Sequence, residues 1–292
     1  MTIKFAFLSS TCPEWTFEQM IDGAKRMGYE GIDLRVEWGH NHGIELDAPM
    51  EVRQRARRHA EEHGIAISCV AISARFARAT DQEREAMVEQ VKRYAVLAKD
   101  LGSPLLRVFG GNLPEGETMA DLRPATAEAL GRAAEAAAPF GITPCLETHD
   151  QHNHPDDVAW IVEHAGHENV GVVWHPAHHL RLGISVDEAY PKIKRWVRHL
   201  HLQEWPKGGL QEGRRPAFLR FGEGDDHLLR AFTLLEQDGF DGYAANEWAA
   251  TGNWQQTDQS SPEHYAARHP EEALSAAARQ LRAWRDQAKQ AA

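Results

Sequence analysis

The sequence repeats one beat eight times. A short apolar or β-branched run is followed by a longer stretch rich in Ala, Glu and Arg with helical periodicity. The short runs are IKFAFLS (Ile3–Ser9), GIDLRV (Gly31–Val36), IAISCVAI (Ile65–Ile72), PLLRVFG (Pro104–Gly110), ITPCLETH (Ile142–His149), VGVVWH (Val170–His175), VRHLHLQE (Val197–Glu204) and GYAANEW (Gly242–Trp248). Helices are expected over Thr16–Gly28, Ala48–Gly64, Asp81–Leu101, Ala120–Phe140, Asp156–Ala165, Val186–Lys194 and Asp225–Gln237, with one long helix from Pro262 to Gln290 at the end. Thr16 reads as an N-cap, and Gly28 and Gly64 as stops.

Most of the short runs are almost continuously apolar, as expected for strands buried on both faces of a sheet. Strands alternating with helices imply parallel pairing through helical crossovers. Eight such units in 292 residues predict an α/β fold, a (β/α)8 TIM barrel, as a single domain over residues 1–292. The competitor is a doubly wound open sheet. It is disfavoured because the segment after the first strand, SSTCPEW, is not a Gly-rich dinucleotide loop. The longest irregular stretches are Arg35–Asp47 and Gln203–Gly224, and loops that long in a compact domain usually carry function.

Composition narrows the partners. The formal net charge is −11, from 32 basic and 43 acidic residues. That balance is wrong for holding a phosphate backbone, so no nucleic-acid partner is expected. No apolar run is long enough to span a bilayer, and MTIKFAFLSS lacks a signal-peptide layout. A cytoplasmic protein without a membrane partner is expected. Cys12, Cys69 and Cys145 are odd in number and far apart, which argues for buried thiols rather than disulfides.

In a (β/α)8 barrel the chemistry gathers at the C-terminal ends of the strands. There the sequence places Arg35 and Glu37, Arg107 before Gly110-Gly111, Glu147 and His149, His175 with His178 and His179 beyond, His199 and His201, and Glu247 with Trp248. Four of these fall at comparable depth: Glu147, His175, His201 and Glu247. Parallel strands lie about 4.8 Å apart, so four of them can bring two imidazoles and two carboxylates around one divalent cation. The alternative is four separate rim residues, each satisfied by its own neighbours.

The sequence resembles the xylose-isomerase-like superfamily of sugar isomerases and epimerases along almost its whole length, from GYEGIDLR to NEW. The resemblance is strongest in LETH (Leu146–His149), WHPAHH (Trp174–His179), HLHLQE (His199–Glu204) and NEW (Asn246–Trp248), which are similar to the segments that supply the single metal site of ketose epimerases and inosose dehydratases. It implies Glu147, His175, His201 and Glu247 as metal ligands and His178 as a group facing substrate. His175 departs from the aspartate most often found there. The exchange removes one negative charge, making a Glu2His2 site with a divalent ion formally neutral. It also tilts the expected cofactor from magnesium towards zinc, manganese or cobalt.

The activity implied is proton abstraction beside a carbonyl of a small-molecule carbohydrate, through a metal-stabilised enediolate. Glu147 and Glu247 are expected as the catalytic pair that takes and returns the proton. Arg107, His149, Lys207 and Trp248 are expected to bind substrate, with salt bridges or packing as their alternative roles. A dehydratase of a keto-polyol or keto acid on the same site is the runner-up, and a non-catalytic sugar-binding barrel the third reading. A homo-oligomer is open, with Trp254 in the loop Thr251–Ser261 as the expected anchor.

Overall fold

The computed structural model describes residues 3–209, 219–248 and 262–292. It contains the strands β1 (Lys4–Leu8), β2 (Gly31–Arg35), β3 (Ala66–Arg75), β4 (Leu105–Phe109), β5 (Thr143–Glu147), β6 (Gly171–Trp174), β7 (Val197–Leu202) and β8 (Tyr243–Asn246). Each pairs in parallel with its sequence neighbours, and β8 pairs with β1 to close the barrel. The helices among the described residues are α1 (Phe17–Met27), α2 (Met50–His63), α3 (Asp81–Leu101), α4 (Met119–Ala137), α5 (Pro155–His164), α6 (Pro176–Leu180), α7 (Val186–Ile193), α8 (His227–Gln237), α9 (Pro262–Arg268) and α10 (Pro270–Ala291). The expected (β/α)8 TIM barrel is therefore observed, and none of these helices is long and apolar enough to cross a membrane.

Local chemistry sets the helix ends. Thr16 accepts from the Gln19 N–H while the Gln19 side chain returns a bond to Thr16, and the same reciprocal box opens α3, α4 and α7. Gly28 stops α1 with φ of 79°, a conformation costly for other residues.

The final helix differs from expectation. It is two helices, α9 and α10, separated at His269 because Pro270 has no N–H to continue the ladder and disfavours helical geometry in the residue before it. The short α6 after β6 was also not expected, because five residues are too few to show a helical period. β3 runs three residues past Ile72 to Arg75.

Alternation along the strands divides the interior in two. Ile32, Leu34, Leu106, Val108, Leu146, Val172, Leu200 and Leu202 face the helical layer and join the main apolar core. Each such side chain contributes roughly 1.5–3 kcal/mol when fully buried. The residues between them form one hydrogen-bonded chain across the barrel, Arg107–Glu147–His201–Asp33–His199. The lumen is thus polar where the outer face of the same strands is apolar.

Candidate active site

The cluster stands on four consecutive strand ends. Glu147 closes β5 and His201 lies near the end of β7. His175 follows β6 as the N-cap residue of α6, in extended conformation. Glu247 follows β8, and its N–H continues the ladder to the Leu202 carbonyl at 2.9 Å. Thr148 ties the first two strands together, since its Oγ1 accepts from the His175 N–H at 2.8 Å. The Tyr29 hydroxyl lies 2.6 Å from Asn246 Oδ1 and 3.0 Å from the Leu274 carbonyl, bracing β8 just before Glu247.

His201 is the centre of the geometry. Its Nδ1 is 3.2 Å from Glu147 Oε1 and 3.5 Å from Glu247 Oε2, and its Nε2 is 3.2 Å from Asp33 Oδ2. The same Asp33 oxygen is 2.6 Å from His199 Nε2. Arg107 Nη1 donates to Glu147 Oε2 at 3.1 Å. His175 Nε2 stands 3.5 Å from Glu247 Oε2.

Burial opposes ionisation throughout, and the partners decide each outcome. Burial would lower the His201 pKa, but Glu147, Asp33 and Glu247 raise it to about 10. Burial would raise Glu147, yet His201 and Arg107 hold it well below the usual carboxylate range. Burial likewise acts against Glu247, and His175 and His201 bring it down. Asp33 is held low by His199 and His201 against its own burial. Burial, reinforced by His175 and His149, keeps His178 far below the ordinary imidazole value, hence neutral.

The donor set fits a cation. One ligand atom from each of Glu147, His201 and Glu247 lies within 4.8 Å of the others, and so does one from each of Glu147, His175 and His178. Both ring nitrogens of His175 and Oε2 of Glu247 are buried with no hydrogen-bond partner. Buried polar atoms are otherwise almost always paired, and of these atoms His175 Nε2 and Glu247 Oε2 face each other at 3.5 Å, a spacing that a shared cation fits. Two nitrogens and two carboxylates suit a divalent metal.

The remaining expected residues divide. His178 returns over His175 from the first turn of α6, with ring centroids 3.7 Å apart and planes parallel to 3°. Its Nδ1 donates to the Thr148 carbonyl at 2.7 Å, which leaves Nε2 with a free lone pair. His149 edges the cluster, 4.5 Å from the His178 ring, with Nδ1 2.9 Å from Asp150. Trp248 does not join it. Its ring packs on Phe221 and on Ala266, Ala273 and Ala277 in the helical layer. Lys207 is exposed after β7 and makes no ion pair among the described residues. Trp254 lies outside the described residues.

Other strand-end features resolve structurally. A Cβ on Gly110 would come within 2.1 Å of the His152 ring, whose Nδ1 donates to the Gly111 carbonyl, so packing explains that glycine. Cys145 is buried in the lumen, and burial pushes its thiol up to about 12. Glu37 has φ of 71°, accepts from the Ser73 N–H at 2.6 Å and lies 3.8 Å from Arg35. The part of Asp33 was not foreseen, although GIDLRV offered the signal of one carboxylate within an otherwise buried strand.

Comparison with known proteins places the chain. Residues 21–284 match the model of the xylose isomerase-like TIM barrel family, and the chain belongs to that family. No curated protein matches the sequence significantly. Among solved structures, an L-ribulose 3-epimerase superposes with a TM-score of 0.75 at 17% identity, over 99% of this chain and 97% of that one. The probable 3-DHS dehydratase AsbF of Bacillus anthracis gives 0.74 at 16% identity, over 96% and 99%. A D-psicose 3-epimerase of Clostridium cellulolyticum H10, solved with D-tagatose, gives 0.71 at 15% identity, over 96% and 99%. At such identities these likenesses establish the fold.

Proposed function

We propose that the chain is a metal-dependent isomerase or epimerase of a small carbohydrate with a carbonyl group. The observation that carries this reading is the unpaired, buried donor set of His175 and Glu247 beside Glu147 and His201. Glu147, His175, His201 and Glu247 would hold one divalent cation, with zinc, manganese or cobalt favoured over magnesium by the two nitrogen donors. Such a cation supplies positive charge for the substrate oxygens that become negative as a proton leaves the neighbouring carbon.

The chain's own groups do the rest. Glu147 and Glu247 stand on β5 and just past β8, with β6 and β7 between them, so they reach the cluster from two sides. Both carboxyls are held in the ionised form. One removes the proton from the carbon beside the carbonyl and becomes the carboxylic acid; the other, once it has taken a proton from water, returns that proton to the opposite face and is again a carboxylate. Arg107 fixes Glu147 in position. Asp33 orients the His201 ring through Nε2, leaving Nδ1 towards the carboxylates. Neutral His178 accepts a substrate hydroxyl proton in a hydrogen bond at Nε2.

The test is solvent exchange. Ketoses incubated in deuterium oxide with manganese, cobalt or zinc should gain deuterium at the carbon beside the carbonyl. Glu247→Gln should slow this by at least about a hundredfold while leaving the circular dichroism and melting temperature unchanged. Exchange at the parental rate in that variant would remove Glu247 from its role.

One observation favours dehydration of a keto acid as a second reading. Guanidinium groups ring the cluster. Arg107 binds Glu147, Arg75 Nε is 4.0 Å from Asp150, and the carboxylates of Glu247 and Asp150 act electrostatically on Arg181. They suit a carboxylate on the substrate. New ultraviolet absorbance from an enone product, without an epimeric sugar, would decide for it.

A further inference from the structure

A second cluster of metal-ligating groups lies on the outer layer, away from the strand ends that carry the first. His59 and His63 stand four residues apart on α2, on one helix face. Asp22 projects towards them from α1, which packs beside α2. Asp22 Oδ1 is 3.4 Å from His63 Nε2 and 3.8 Å from His59 Nε2. The two rings are 4.3 Å apart between centroids. The three ligand atoms all lie within 4.8 Å of one another.

The hydrogen bonds fix which ring nitrogen of His63 faces the carboxylate. His63 Nδ1 faces the His59 carbonyl at 2.8 Å, and a carbonyl only accepts, so Nδ1 carries the hydrogen. In the neutral ring Nε2 then holds a lone pair, directed at a carboxylate oxygen. His59 Nε2 is buried and makes no hydrogen bond. With the His63 ring neutral, its Nε2 and the carboxylate oxygen would face each other as two acceptors across 3.4 Å. A proton or a metal cation removes that repulsion.

We propose that Asp22, His59 and His63 form a zinc site that clips α1 to α2. Zinc–nitrogen and zinc–oxygen bonds of about 2.0–2.1 Å set donor atoms of a tetrahedral site about 3.3–3.4 Å apart. The 3.4 Å pair already meets that spacing, and the 3.8 Å pair needs a movement of a few tenths of an ångström. The hydrogen bond from His63 Nδ1 to a backbone carbonyl is the outer contact that orients a ligating imidazole. The side chains are 24%, 28% and 48% exposed for His59, His63 and Asp22, so water reaches the remaining position. His63 lies three residues before β3, at the N-terminal end of the barrel. That end of the fold serves stability rather than chemistry, so the site is structural.

Zinc titration of the full chain by calorimetry tests this independently of the catalytic reading. Glu147→Ala isolates the outer site, and this variant should still bind one zinc. Adding His63→Ala should weaken that zinc at least about tenfold, and adding Asp22→Asn instead should do the same. Alanine favours the helix and position 63 is solvent-accessible, so folding should persist, which circular dichroism checks. Zinc should also raise the melting temperature of Glu147→Ala but not of Glu147→Ala/His63→Ala. Equal zinc affinity with and without His63, or no zinc bound by Glu147→Ala, would overturn the proposal.

Discussion

Asp33 is fully buried and serves two imidazoles with one carboxylate oxygen. Because it fixes the far nitrogen of His201, its effect should reach the cluster through that ring. Asp33→Asn should lower divalent-metal affinity about 10–100-fold, read by competition with a chromophoric chelator. Unchanged affinity would reduce Asp33 to a packing role. Glu204 offers a pH prediction. Burial raises its carboxyl to about 7, with Asp225 and Glu223 adding to the rise against the N–H bonds from Gly222 and Trp205. A carboxyl raised on folding stabilises the chain below its unfolded value, about 4.3, and that contribution is lost as pH climbs through the folded value. Melting temperature should therefore fall between pH 5 and pH 8. Glu204→Gln should flatten that fall and melt several degrees above the parent at pH 8. Identical pH profiles for the two proteins would refute the assignment.

At the scale of elements, α4 and α5 approach closely enough to exclude one methyl group. A Cβ on Gly131 would lie 2.0 Å from the Ala165 carbonyl oxygen. In an unhindered helix Gly→Ala gains about 1 kcal/mol, but overpacking costs about 1–3 kcal/mol. Gly131→Ala should thus be neutral to destabilising in urea unfolding, and a clear gain in stability would contradict the close approach. The strands and most helices were legible in the sequence because each spans enough residues to show its period or its caps, as Thr16 with Gln19 does. PAHHL was not legible as a helix, since five residues carry no period. The break at His269 was hidden by helix-forming residues on both sides of Pro270.

Over the whole molecule, eight strands deliver their ends to one mouth, and this is why Glu147, His175, His201 and Glu247, placed at strand termini by the sequence, stand in one cluster. The part of Asp33 was not legible. It meets His199 across 166 residues of sequence, and only closure of the barrel sets β2 opposite β7. Trp248 takes the packing role that the sequence left as its alternative. Its neighbour Glu247 points into the lumen, and the next residue along the chain turns to the helical layer. The overall charge of −11 predicts that the protein will not bind duplex DNA at low salt, where basic surfaces bind most strongly. A salt-sensitive shift in fluorescence anisotropy would show otherwise. The rings of α6 hang from another loop altogether: His178 bonds the Thr148 carbonyl and His179 the Asn153 carbonyl at 2.6 Å. Anyone redesigning this barrel for a different substrate must therefore transplant residues 148–154 and 175–180 as a pair, because either segment grafted alone arrives without the carbonyls, or the imidazoles, that hold it in place.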